Sequence, residues 1–182
     1  MLVVLAIFIL LASVILANNS RFNNHIVLEN LAHDIALSVR QAQIYGIAVQ
    51  RYSSGQFNVA YGVHFDASAG NDKNYLLFAD VNLDHIYQAG ESLIATTLSG
   101  GYSISDVCLT PYGIGATETC VSGGLPSVTD ITFTRPEPDA KIYNSSHPEL
   151  SQRVRIIVLS PKGERLAIVV EGSGQISVQL AP

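Results

Sequence analysis

The sequence has no tryptophan, one methionine and two cysteines, and only 14% of its 182 residues are charged. Two cysteines are too few for a disulfide-framework miniprotein or a four-cysteine zinc site. No proline precedes Pro111, so nothing in the first half of the chain forbids a long helix. No Lys or Arg precedes Arg21, whereas a secretory signal peptide carries a basic n-region. The net charge of −5 argues against nucleic acid as the main partner. The chain also lacks a Gly-x-x-x-x-Gly-Lys phosphate loop, a Gly-x-Ser-x-Gly elbow and a His-Glu-x-x-His pair. His25, His33, His64, His85 and His147 have no metal-ligand spacing. With no enzyme signal and no sign of a small-molecule substrate, the function legible here is architectural.

What the chain does have is an uneven distribution of apolar residues. Met1 to Ala17 reads MLVVLAIFILLASVILA, interrupted only by Ser13. As a helix it would span roughly 25 Å, at the lower edge of the transmembrane range. After Asn18-Asn19-Ser20-Arg21 the helical pattern resumes. Leu28, Leu31, Ile35, Val39, Ala42, Gly46 and Val49 form one stripe, while Asn30, His33, Asp34, Arg40, Gln41 and Gln43 fall largely off it. One helix from residue 1 to about residue 51 is expected, with Ala42 and Gly46 small enough to bring a sheet close.

From Gln56 the pattern changes to short β-type runs separated by turn residues. The candidates are Phe57–Phe65, Tyr75–Ala79, Leu93–Leu98, Tyr102–Leu109, Val128–Thr134, Arg153–Ser160, Glu164–Val170 and Gln175–Leu180. Ser122–Ser127 and Pro136–Pro148 read as loops. Pro161-Lys-Gly163 reads as a tight turn of a hairpin. The expected fold is α+β: a long hydrophobic-then-amphipathic helix packed on an antiparallel sheet or sandwich. It divides into residues 1–21 (the membrane or filament-core half of the helix), 22–55 (the half that packs on the sheet) and 56–182 (the β-rich domain).

The run from Met1 to Ile15 resembles the N-terminal methylation segment of type IV pilins and type II secretion pseudopilins. Ser38-Val-Arg-Gln-Ala-Gln-Ile-Tyr45 is similar to the family's helix end, and Ile131-Thr-Phe-Thr-Arg-Pro-Glu-Pro-Asp-Ala140 to a late strand of its minor pseudopilins. In that family a basic leader ending in Gly, then Phe-Thr-Leu-Ile-Glu, comes before such a run. The resemblance therefore implies residues upstream of Met1; Glu29 lies too far along to replace that glutamate. It also implies a structural subunit of a type IV pilus or type II secretion filament. Such a subunit is held in the inner membrane by one transmembrane helix before assembly, with its globular domain extracytoplasmic, and its partners are other subunits and that membrane. Two alternatives from other classes are a DNA-binding minor pilin of a competence apparatus and a membrane-anchored extracytoplasmic enzyme.

Three local features bear on chemistry. Asp80-Val-Asn-Leu-Asp-His-Ile-Tyr-Gln-Ala-Gly-Glu91 sets Asp80, Asn82, Asp84 and Glu91 at offsets 1, 3, 5 and 12, with the Ile86 carbonyl at offset 7. That spacing suits calcium, although His85 stands where an EF-hand loop uses Gly and the flanks read as strands. A solvated Asx-rich turn is the other reading. Cys108 and Cys120 are 12 residues apart; an extracytoplasmic location permits a disulfide, and two reduced buried thiols are the alternative. Arg153, Arg155, Lys162 and Arg165 cluster, with Arg153 and Arg155 on one strand face, but residues 171–182 hold no Lys or Arg, which weakens nucleic-acid binding.

Overall fold

The computed structural model describes the backbone of residues 1–48, 52, 55, 58–113, 115–124, 126–144 and 151–181, and the side chains among them except those of residues 14–23. One helix, α1 (Leu2–Ile47), is followed by β1 (Ala60–Asp66), β2 (Asn74–Asp80), β3 (Ser92–Thr97), β4 (Ser103–Pro111), β5 (Thr119–Cys120), a 3-10 turn (Val121–Gly123), β6 (Val128–Phe133), β7 (Ala140–Asn144), β8 (Ser151–Leu159), β9 (Arg165–Glu171) and β10 (Ile176–Leu180).

The strands form two antiparallel sheets of five, β3-β2-β1-β6-β7 and β10-β9-β8-β4-β5. The first is called sheet A and the second sheet B. The expected α+β class is corrected by this architecture, which is mostly β, with ten strands and two helical elements among the described residues. The strand content is larger than the sequence suggests because β5 was not among the candidate strands and β7 lies in a stretch read as a loop. β7 falls inside the Pro136–Pro148 stretch, yet Ala140, Ile142 and Asn144 alternate inward and pair with β6. β5 is two residues long and exists through the pairing of Cys120 with Cys108 and of Thr119 with Leu109. The other candidate strands coincide with observed ones to within a few residues, Phe57 lying outside the described residues.

The expected transmembrane helix is likewise corrected. No helix among the described residues is long and apolar enough to cross a membrane. A single N-terminal membrane anchor, and the inner-membrane placement that depended on it, are therefore not supported.

The two sheets and α1 share one core. Leu28, Ala32, Ile35, Val39 and Ala42 of α1 pack into a cluster with Tyr61, Val63 and Phe65 of β1, Ile131 and Phe133 of β6, and Val154, Ile156, Ile168 and Val170 of sheet B. Burial of these side chains is the main stabilising term, roughly 1.5–3 kcal/mol for each large one. The helix touches β1, β2 and β6 on one side and β8, β9 and β10 on the other, so it ties the sheets together. Gly46 permits the closest approach: a Cβ there would lie 2.3 Å from the carbonyl oxygen of Phe133. The stripe expected from periodicity is thus the packed face from Leu28 to Gly46, with Leu31 half-buried and Val49 outside the described residues.

Gln43 departs from the pattern. It is buried, and its Nε2 donates to the carbonyl oxygens of Pro138 (2.9 Å) and Gly174 (3.0 Å), while its Oε1 accepts from Arg40 (2.6 Å).

Candidate functional site

Two surfaces stand out. The first is the start of α1. Met1, Leu2, Val3, Val4, Leu5, Ile7, Phe8, Ile9, Leu10 and Leu11 are each more than half exposed. They occupy every side of the helix. A helix that is apolar all round is ordinarily a buried one, so the exposure of this half is exceptional.

The second is the outer face of sheet A, where the acidic loop between β2 and β3 folds back over the strands. Strand alternation sends Tyr61, Val63 and Phe65 of β1 into the core and leaves Gly62 and His64 on the outer face. A Cβ at Gly62 would lie 2.7 Å from Thr132 Cγ2 and 2.9 Å from Phe78 Cε1, so glycine is what lets these neighbours close over β1. Tyr87 of the loop covers His64 (ring centroids 4.7 Å apart) and Phe78 (5.5 Å). His85 Nδ1 lies 2.9 Å from Thr132 Oγ1. His64 Nδ1 lies 2.7 Å from Oδ1 of the buried Asp130. The loop is therefore a cover for one sheet face and not a freely solvated turn.

Within the cover the candidate ligands hold the loop's own backbone. Asp80 is fully buried; its Oδ1 accepts from the Asp84 N–H (3.2 Å) and its Oδ2 from the His85 N–H (2.9 Å). Burial raises the Asp80 pKa above the ordinary carboxylate range, opposed by the N–H groups of His85 and Leu83. Asn82 Oδ1 accepts from the Asp84 N–H, and Asp84 Oδ1 from the Ile86 N–H. Asp84 Oδ2 accepts from the side chains of Asn82 and Gln88. Glu91 closes the loop, accepting from the Val81 N–H (3.2 Å) and the Gln88 N–H (2.9 Å). His85 has φ 65°, so it supplies the left-handed turn that glycine supplies in an EF-hand loop. The carboxylates of Asp80, Asp84 and Glu91 nevertheless do not come within 4.8 Å of one another as a set. Among the described residues the one His/Cys/Asp/Glu group that does is Asp106, Cys108 and Cys120. That group is no metal centre, because Cys108 and Cys120 form a disulfide.

The disulfide joins directly opposed residues of β4 and β5. Asp106 secures the turn that follows it, accepting from the Ser122 N–H (3.2 Å) and Oγ (2.5 Å).

Arg153 and Arg155 do share one face of β8. Each is matched to a carboxylate: Arg153 Nε donates to Glu171 Oε1 (2.8 Å), and Arg155 to Glu118. Neither is a bare cation waiting for phosphate.

No family model, no curated protein and no solved structure matches this chain. The likeness to pilins and pseudopilins accordingly stands on the quoted residues alone.

Proposed function

We propose that this chain is a structural subunit of a filament, of the minor pilin or pseudopilin kind, and that it assembles through the N-terminal half of α1. The observation that carries this reading is the exposed apolar run from Met1 to Leu11 on a helix whose second half is anchored in the core. The sandwich supplies a rigid body, and the free half-helix supplies the association surface. Helices of neighbouring copies would bury each other's apolar sides. The mechanism is assembly, with no bond chemistry. The DNA-binding alternative draws no support from Arg153 and Arg155, since both guanidinium groups face carboxylates.

The test is the association state of the full chain in detergent-free buffer, followed by sedimentation and electron microscopy over a range of concentrations. Large assemblies are expected for the natural sequence and their loss for Leu5→Glu combined with Phe8→Glu. A natural chain that stays monomeric at every concentration would remove the reading.

A further inference from the structure

The outer face of sheet B is not flat. Val154 and Ile156 of β8 and Ile168 and Val170 of β9 point into the core, so alternation turns Arg153, Arg155, Val169 and Glu171 outward. Two hollows lie over them, of about 450 Å³ and about 360 Å³, and both are lined by Arg153 and Glu171. They are the two halves of one trough, divided by that ion pair. Each has the size of a small-molecule pocket, roughly 300–1,000 Å³. Tyr112 stands at one end; it is exposed, and its hydroxyl lies over Gly172, where a Cβ would come within 2.5 Å of it. Glu118 lines the other half, and the Cys108–Cys120 bridge, by pinning β5 to β4, holds it beside Arg155.

Three properties set what the trough suits. Its charges, Arg153, Arg155, Glu118 and Glu171, sum to zero, so neither an anion nor a cation gains net attraction there. Each ion pair is made through a single hydrogen bond, Arg153 Nε to Glu171 Oε1 and Arg155 to Glu118 Oε2. Guanidinium N–H donors and carboxylate oxygens therefore stand side by side with no other partner among the described residues. A hydroxyl group both donates and accepts, so neighbouring hydroxyls of one ring match such a row, whereas a purely anionic or cationic group satisfies only half of it. Finally, the one aromatic ring is the exposed Tyr112, a flat apolar surface with a polar tip. A protein partner is the poorer occupant: interface centres are apolar and depleted of charge, and Val169 is the one large aliphatic side chain lining the trough.

We propose that this trough binds a neutral saccharide. One sugar ring lays its C–H face on Tyr112, and its hydroxyls bridge Arg153 and Glu171 at the point where the hollows meet. A second ring continues towards Arg155 and Glu118. Arg153 and Glu171, common to both halves, carry the contacts on which binding depends most. No residue of α1 lines the trough, so the site does not depend on the helix-mediated assembly proposed above.

Titration followed by nuclear magnetic resonance tests it. The isotope-labelled chain is titrated to about 10 mM sugar with neutral oligosaccharides of glucose, galactose, mannose and N-acetylglucosamine, and separately with heparin and polygalacturonate as anionic counterparts. Leu5→Glu with Phe8→Glu keeps the chain from helix-mediated assembly; if the natural chain proves monomeric, it serves equally. Saturable amide shifts confined to the trough are expected from at least one neutral series. Tyr112→Ala and Arg153→Met change exposed side chains, and each should weaken that binding about ten-fold with little change in the melting curve. Arg165→Met removes a cation from the same sheet outside the trough and should leave the affinity unchanged. No binding by any neutral series, binding by the polyanions alone, or equal affinity in all three variants would overturn the proposal without touching the helix reading.

Discussion

Gln43 and Gly174 meet across the whole chain, the Gln43 amide donating to the Gly174 carbonyl at 3.0 Å. The same Nε2 reaches Pro138, just before β7 of sheet A, while Gly174 sits in the β9–β10 turn of sheet B. One helix side chain thereby joins both sheets. Gly174 has φ 81°, and a Cβ there would lie 2.2 Å from the Pro138 carbonyl oxygen, so the contact demands glycine twice over. Gln43→Leu keeps the volume but leaves two carbonyls without their donor. A loss of about 2 kcal/mol in denaturant unfolding is expected; a loss below about 0.5 kcal/mol would show the bonds to be dispensable.

Gly46→Ala should act against the usual helix rule. In an exposed helix interior, alanine is favoured over glycine by about 1 kcal/mol. At this position the new methyl meets the backbone of Phe133, which cannot swing aside. Destabilisation of about 1–3 kcal/mol is expected from forcing α1 off β6. A rise in melting temperature would contradict the packing described.

Opening the Cys108–Cys120 bridge should cost about 3 kcal/mol by the loop-closure argument. Cys108→Ser with Cys120→Ser, compared with the natural chain under oxidising conditions, measures it. Because β5 is only two residues, the loss should concentrate there, seen in the variant as faster amide exchange at Thr119 and at position 120 than in β8.

Asp80 and Asp66 give stability terms of opposite sign with pH. Burial raises the Asp80 pKa, so its contribution is fully present below the unfolded-state value and is lost as pH rises through the raised folded value. The natural chain should therefore gain stability relative to Asp80→Asn as pH falls from 7 towards 4. At Asp66 burial acts upward too, but hydrogen bonds from Ser68, Asn71 and Ser127 outweigh it and lower the pKa. Its contribution is present above the unfolded value and disappears as pH falls through the lowered one. Relative to Asp66→Asn the natural chain should lose stability on acidification. Parallel pH profiles for the two variants would refute the assignment.

Tyr87→Ala tests the cover over sheet A. It uncovers His64 and Phe78 together and, because Tyr87 is only half-buried, should cost about 1–2 kcal/mol, less than truncating a core aromatic. A near-neutral result would mean the loop does not seal the face.

Periodicity made the helix and its packed stripe legible, because Leu28, Ile35, Val39 and Ala42 bury one continuous face. It misplaced Gln43, since a polar residue beside that stripe reads as solvated until the carbonyls of Pro138 and Gly174 are known to converge on it. β7 was hidden by the prolines around it and β5 by its brevity; both depend on pairing with residues distant in sequence. In the acidic loop the oxygen spacing was visible, but not the direction of those oxygens. That direction is set by the positive φ of Leu83 and His85, which turns backbone N–H groups towards Asp80. The disulfide followed from two cysteines and a compartment argument, whereas the carboxylate partners of Arg153 and Arg155 needed the fold.

The anchoring of α1 has a mechanical consequence. Tension applied to the exposed half of the helix enters the body through Leu28 to Gly46, a contact lying along the direction of pull. Many side chains then resist together, as in a lap joint, and not one after another as in peeling tape. Because the joint grips both sheets, load is divided between them before any single strand pairing carries it. In the proposed filament, a rod glued along its length in this way would release neighbouring copies before it leaves its own body.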